Sequence, residues 1–380
     1  MCDYDVVIIG TGLAGYSLAR EFRRLDKHSR IVLLTADDGR SYSKPMLSSA
    51  LKQGKTADTL AMANAEKMQE TLSTSIITNC TVEKIDTEAK QIFTNKDTYQ
   101  YKNLVLAVGA QPIRLPIQGE GAKDILSVNN LTDYAVFRRH LSSAKHVAIL
   151  GPGLIGCEFA NDLLHADKQV TVIGPDHYPL STLLPETVGT ALQAALTAKG
   201  VTWHLNTVVE SVDKTPKNYK LVLKNGVCIE ADVVLSAVGL RPDIRLAEAA
   251  NLTTNRGIMT DKFLQTSAKS VYALGDCAEV EGKNLPFVAP LMQGAKALAK
   301  TLTGDATAVD YPPMPVVVKT SFYPLVILPP TPFLVGQWVS DSHAEGIYAR
   351  YENEEGQLVG FALSGAATAD KQKYVKLMSD

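Results

Sequence analysis

Two stretches of this chain carry the same short text. Tyr4-Asp5-Val6-Val7-Ile8-Ile9-Gly10-Thr11-Gly12-Leu13-Ala14-Gly15 and Lys145-His146-Val147-Ala148-Ile149-Leu150-Gly151-Pro152-Gly153-Leu154-Ile155-Gly156 each set GxGxxG behind an apolar run, 141 positions apart from Gly10 to Gly151. An apolar run of that length suits a buried parallel strand. Helical spacing follows each turn: Leu18, Ala19, Phe22 and Leu25 after the first, Phe159, Ala160, Leu163 and Leu164 after the second. Another β-rich run comes next, Arg30-Ile31-Val32-Leu33-Leu34 and Gln169-Val170-Thr171-Val172-Ile173. In such a unit the first glycine makes the tight turn, the second admits a pyrophosphate, and the third packs helix on strand. The phosphates rest where free N–H groups and the helix dipole favour negative charge. A single copy could be a turn without a ligand; two copies predict two nucleotide sites. Gly10, Thr11, Gly12, Leu13, Ala14 and Gly15 line one, and Gly151, Gly153, Leu154, Ile155 and Gly156 the other.

A weaker echo divides the chain. Asn103-Leu104-Val105-Leu106-Ala107-Val108-Gly109-Ala110-Gln111-Pro112 resembles Asp232-Val233-Val234-Leu235-Ser236-Ala237-Val238-Gly239-Leu240-Arg241-Pro242. Each is a strand ending in Gly with Pro close behind, as where a chain leaves its sheet. The Pro-rich run Tyr311 to Pro315 marks a further boundary. The predicted fold is α/β: two interleaved Rossmann-like FAD- and NAD-binding domains plus a small α+β C-terminal domain. The expected spans are 1–112 with 243–311 for FAD, 113–242 for NAD, and 312–380 for the small domain. That last part should hold strands at Val316 to Lys319, Gly346 to Tyr351 and Gln357 to Phe361, then a helix.

Two sites in one chain imply an electron relay, in which a nicotinamide gives hydride and a second dinucleotide receives it. FAD suits the receiving role, because a flavin takes two electrons together and releases them singly. At the first strand tip, Leu34-Thr35-Ala36-Asp37-Asp38, the carboxylates come slightly late for a ribose, so Thr35 and Ala36 are expected to meet it by hydroxyl and backbone. At the second tip, Ile173-Gly174-Pro175-Asp176-His177-Tyr178, no Arg stands ready for a 2′-phosphate and Asp176 would repel one. NADH is expected over NADPH.

The segment Thr266-Ser267-Ala268-Lys269-Ser270-Val271-Tyr272-Ala273-Leu274-Gly275-Asp276-Cys277-Ala278 resembles the second FAD motif of the two-dinucleotide flavoprotein reductases. The five cysteines, Cys2, Cys80, Cys157, Cys228 and Cys277, include no CxxC or CxxxxC pair, unlike the glutathione, lipoamide and thioredoxin reductases. Ser43 stands where NADH oxidases and coenzyme A disulfide reductases carry a single cysteine. Arg40-Ser41-Tyr42-Ser43-Lys44-Pro45-Met46-Leu47-Ser48 is instead similar to the RxYxxPxLS element of reductases that feed small iron proteins. Together with Gly153-Leu154-Ile155-Gly156-Cys157-Glu158-Phe159-Ala160-Asn161-Asp162 and the short last domain, it resembles the rubredoxin–NAD(+) reductases that serve alkane hydroxylation.

That resemblance implies roles. Asp276, after Gly275, would bond the ribityl chain, where its plain reading is a helix cap. Lys44 would stand near the flavin N5, and Glu158 between nicotinamide and flavin; their plain readings are a surface lysine and a first-turn helix acid. Val82 would offer backbone to adenine and Val288 would pass its backbone by the pyrimidine edge. Lys319 would reach the flavin from the small domain, and Gly239 belongs with the cofactor-binding residues. Rubredoxin, a small acidic iron protein, would be the partner, steered by lysines near the flavin and on the small domain. The alternatives are a ferredoxin reductase of an aromatic-ring dioxygenase, the reductase of a flavorubredoxin that scavenges nitric oxide, and a redox-sensing FAD- and NAD-binding protein.

Composition fits that frame. The chain has 38 Lys+Arg against 40 Asp+Glu, which leaves no whole-protein charge for nucleic acid. Seven scattered histidines predict no metal site. An acidic start and the lack of a long charge-free apolar run predict a cytoplasmic protein without membrane insertion.

Overall fold

The run Val6 to Ile9 has nothing polar to give to solvent on either face, so it can be a strand only if both faces are covered. A computed structural model describes residues 2–331 and 333–378, with backbone only for Cys2 and Asp3. It places that run in the middle of a sheet, 0–6% exposed. The described residues fall into two compact units: those within 1–44, 61–111 and 240–312 form one, those within 45–60, 112–239 and 313–380 the other.

The first unit is built on β1 (Cys2–Ile9), α1 (Leu13–Leu25) and β2 (Ile31–Leu34). Its seven-stranded sheet runs Ser75–Ile77, β2, β1, Thr98–Leu106, Gln91–Thr94, Val82–Asp86, with Val271–Ala273 also paired to Thr98–Leu106. The pairs flanking β1 are parallel. Helix α1 buries Leu18, Ala19 and Phe22 of the expected stripe, with Tyr16, into one core with the Val288–Leu302 helix, whereas Leu25, at the helix end, is 54% exposed.

The second unit repeats the plan with β3 (His146–Leu150), α2 (Leu154–Leu164) and β4 (Gln169–Ile173). Its four-stranded parallel sheet runs Val201–His204, β4, β3, Val233–Ser236. A three-stranded antiparallel sheet, Val209–Lys214, Tyr219–Leu223 and Cys228–Ala231, shares a core with it.

The last part of this unit holds a five-stranded antiparallel sheet in the order Val316–Val318, Leu325–Leu328, Leu358–Ser364, Gly346–Asn353, Gly336–His343. Tyr374 of the Lys371–Leu377 helix closes its core against Phe361 and Leu363. Two of these strands escape the sequence reading. Leu325–Leu328 lies between Pro324 and Pro329 and so looks like loop punctuation. Gly336–His343 is an edge strand, exposed along most of its length, and carries no clear alternation. No helix among the described residues is long and apolar enough to cross a membrane.

Candidate functional site

Each glycine turn is bent by close approach of the backbone. Gly10 has φ +114°, and a Cβ there would strike the Ala107 carbonyl; Gly151 has φ +104°, and a Cβ would sit 2.7 Å from the Ala237 carbonyl oxygen. The middle glycines differ: a Cβ on Gly12 or Gly153 would meet nothing within 4 Å. Both are helix N-caps with no side-chain cap, and neither α1 nor α2 has an acid in its first turn. The first N–H groups of each helix, at Leu13 and Ala14 and at Leu154 and Ile155, therefore have no side-chain cap at the positive helix end, next to a glycine with open space around it. Both cradles fit a pyrophosphate.

In the first unit several predicted residues gather at the carboxyl ends of the strands. Gly275 packs so tightly on α1 that a Cβ would come 2.8 Å from that of Ala14. Asp276 follows, with the Lys44 ammonium 3.7 Å from its carboxylate, both groups partly exposed. Val288 opens its helix and is 42% exposed, at an end with no acidic first turn. Val82 begins its strand, drawn to the β2 tip by two backbone bonds nearby: Asn79 N–H donates to Asp37 O at 2.9 Å and Cys80 N–H to Thr35 O at 2.8 Å. Thr35 gives its hydroxyl proton to Asp37 Oδ1 at 2.7 Å, which also accepts from Thr11 Oγ1 at 3.3 Å and Gly39 N–H at 2.9 Å. Asp37, passed over in the sequence, thus touches the fingerprint turn, while Ala36 is exposed beside it. Burial pushes the Cys277 thiol up to about 11.

In the second unit α2 turns a polar face inward. Glu158 is buried and accepts three hydrogen bonds: from Lys319 Nζ at 2.5 Å, from Lys319 N–H at 3.0 Å, and from the Ser48 hydroxyl at 2.6 Å. One turn on, Asp162 accepts the Leu51 and Lys52 N–H groups at 2.9 and 2.8 Å, and Asn161 accepts the Phe322 N–H at 3.1 Å. The helix that starts at the fingerprint therefore fixes both the 45–52 segment and the 319–322 segment. The structure brings Glu158 and Lys319 together, and adds Ser48, which no sequence pattern linked to them. Gly239 accepts the Ile113 N–H at 3.1 Å just past the Val233–Ser236 strand. Asp176 lies beyond β4, its carboxylate accepting from Ser181 Oγ.

The two strand tips match in detail. Asn206 N–H donates to Asp176 O at 3.1 Å and Thr207 N–H to Gly174 O at 3.2 Å, as Asn79 and Cys80 do to Asp37 and Thr35. Asn79 and Asn206 both take positive φ, +48° and +57°. The next strands, from Val82 and from Val209, each carry a register shift after their first residue. The text Asn79-Cys80-Thr81-Val82-Glu83 against Asn206-Thr207-Val208-Val209-Glu210 is the faint signal of this third echo.

Comparison with known proteins agrees with this geometry. Residues 4–298 match the family described as pyridine nucleotide-disulphide oxidoreductase, and residues 308–378 match one described as rubredoxin binding C-terminal domain. The chain is 47% identical over 375 residues to a rubredoxin-NAD(+) reductase of Alcanivorax borkumensis, covering 98% of each chain. It is 46% identical to a protein of the same name from Acinetobacter baylyi, covering 99% of this chain and 98% of that one. A crystal structure of a ferredoxin reductase from Rhodopseudomonas palustris superposes with a TM-score of 0.88 at 25% identity, covering 97% of this chain and 93% of the other. The chain belongs to the pyridine nucleotide-disulphide oxidoreductase family, on the side of its rubredoxin-NAD(+) reductases.

Proposed function

We propose that this protein is an NADH-dependent flavoprotein reductase that passes electrons through FAD to rubredoxin. The carrying observation is the pair of open, uncapped helix N-termini at Gly12 and Gly153 in a chain whose last 71 matched residues, 308–378, fit a rubredoxin-binding domain. FAD, when bound, takes the hydride of NADH as an electron pair and releases electrons one at a time. Residues 1–112 with 243–311 hold FAD, 113–242 hold NADH, and 312–380 serve the acceptor. Gly10 to Gly15 and Gly151 to Gly156 seat the two pyrophosphates.

The chain's own residues then have distinct work. Asp276 accepts from a ribityl hydroxyl, with Lys44 beside it as a cation for the reduced flavin. Thr35, Ala36 and Asp37 meet the FAD ribose, and the Val82 and Val288 backbones meet its ring edges. Asp176 accepts from the NADH ribose. Glu158 holds Lys319 as a fixed positive charge, and Ser48 keeps the Glu158 carboxylate from turning. The cysteines form no CxxC or CxxxxC pair, so this reading routes no electrons through a redox disulfide of that kind. Electrons leave for an outside acceptor, in this reading a cytoplasmic carrier serving a hydroxylase such as that for alkanes.

Residues 312–380 carry five Lys and Arg against seven Asp and Glu. Any attraction for an acidic partner therefore comes from single lysines rather than from that domain's net charge. Stopped-flow bleaching of the flavin by NADH, followed by cytochrome c reduction with and without rubredoxin, tests the whole reading. Turnover that rises with added rubredoxin is expected. Fast bleaching with no response to rubredoxin would remove the acceptor and leave the flavin reductase.

A further inference from the structure

Asp37 and Asp176 occupy matching places, two residues past Thr35 and Gly174, but are held differently. Asp37 Oδ1 is fixed by the Thr11 and Thr35 hydroxyls. Neither donor has a counterpart in the second unit, where Pro152 stands in the place of Thr11 and Gly174 in that of Thr35. The two replacements are linked, because a Cβ on residue 174 would run into the Pro152 ring. A carboxylate left without donors at a strand tip keeps its rotamer freedom and must lose it on binding.

Ser181 fills the gap from another direction, donating its hydroxyl to Asp176 Oδ1. Its loop is pinned by the fingerprint itself: Leu180 N–H donates to the Pro152 carbonyl at 2.9 Å, with Leu180 1% exposed and at φ +61°. Leu183 and Leu184 N–H then close back on Leu180 O at 2.8 and 3.0 Å. The proline that removes one hydroxyl thus anchors the loop that supplies another.

We propose that Ser181 is a positioning residue that presets Asp176 for the ribose diol of NADH and so sets the preference against the 2′-phosphorylated cofactor. This rests on the reading that the second unit binds NADH with Asp176 at its adenosine ribose. With Oδ1 tied to Ser181, Oδ2 is left to accept from a sugar hydroxyl, and the fixed charge opposes a phosphate in the same place.

Equilibrium titration of the FAD-loaded full chain with ADP-ribose and with 2′-phospho-ADP-ribose tests it. Ser181→Ala is expected to weaken ADP-ribose about fivefold, the value of one net hydrogen bond, and to leave the 2′-phospho form unchanged. Ser181→Thr keeps the hydroxyl and should keep the wild-type ratio; Asp176→Asn should narrow it further. Unchanged or equal losses for both ligands in Ser181→Ala, with Asp176→Asn still shifting the ratio, overturn the role of Ser181 alone. A ratio untouched by Asp176→Asn overturns the ribose placement and the proposal with it. Wild-type protein that binds neither ligand overturns the reading of the unit as an NADH site.

Discussion

The two nucleotide units share a plan down to single backbone bonds, yet each carries a different kind of ion pair. In the first, Lys44 and Asp276 stand 3.7 Å apart with 32% and 20% of their side chains exposed. In the second, Glu158 is 1% exposed, 2.5 Å from Lys319, and bonded twice more. A loose, partly exposed pair contributes little to stability. A carboxylate buried among three donors holds the fold together, and losing its charge is costly. The same turn-and-helix frame thus carries a partly exposed ion pair in one unit and a buried, multiply bonded one in the other.

The largest effect that could break this parallel lies at the middle glycines. Gly153→Val fills the open cradle of the second unit and should abolish NADH binding while flavin content stays normal. Gly12→Val should do the reverse, giving colourless protein. Absorbance of the purified variants and titration with NADH read both. A Gly153→Val protein that lost its flavin instead would mean that the two cradles are not independent.

The ion pairs come next. Glu158→Gln keeps the shape but removes the charge, and should lower unfolding free energy in urea by about 1.5–3 kcal/mol, the range for hydrogen bonds to charged groups. Lys44→Ala should lower it by less than about 1 kcal/mol, as for a long, partly exposed pair. Equal losses would erase the contrast.

How far the sequence reaches follows the same division. The glycine turns and their strands are readable because each depends on neighbours within about a dozen positions, and short apolar runs and GxGxxG are local signals. Glu158 meets Ser48 across 110 positions and Lys319 across 161, and no local period can join them. Asp37 escapes a spacing rule that counts residues, because the turn through Gly39 folds its carboxylate back onto Thr11. The edge strand Gly336–His343 is hidden for another reason: with much of it in water, selection for an apolar face is weak.

A smaller test compares carboxylates by pH. In the first unit the Arg245 guanidinium, helped by Gln111, holds Asp243 below the usual carboxylate range. In the second, burial pushes Asp162 up, outweighing the two backbone N–H groups it accepts. The signs are opposite. Asp243 stabilises the fold above its unfolded pKa of about 3.9, and that stabilisation is lost as pH falls through its lower folded value. For Asp162 the contribution is greatest below about pH 3.9 and is lost as pH rises through its higher folded value. Urea unfolding from acid to neutral pH should show Asp243→Asn less stable than wild type at neutral pH, with the difference closing in acid. Asp162→Asn should gain on wild type as pH rises. A shared trend would mean that burial of Asp162 is answered by its hydrogen bonds after all.

The smallest expected effect is a lack of reaction. Cys157 and Cys277 follow Gly156 and Asp276 directly in the chain, beside the two proposed cofactor seats, where a thiolate would compete with the outside acceptor for electrons. Both are fully buried, and burial raises both thiols, Cys277 to about 11 and Cys157 further, with the Glu158 charge adding to the rise at Cys157. Each donates its S–H weakly to a backbone carbonyl, Cys157 to Pro152 at 3.3 Å and Cys277 to Leu106 and Leu274 at 3.4 Å. Only the thiolate attacks an alkylating reagent. Iodoacetamide at pH 8 should therefore modify exposed Cys228 and leave Cys157 and Cys277 intact in native protein, as peptide mass mapping would read. Labelling at Cys277 ahead of Cys157 would sharpen the comparison, placing the more readily opened core in the first unit. Labelling of both at the rate of Cys228 would show that neither cofactor seat is closed to solvent on that side, and the thiols would re-enter the account of how electrons leave.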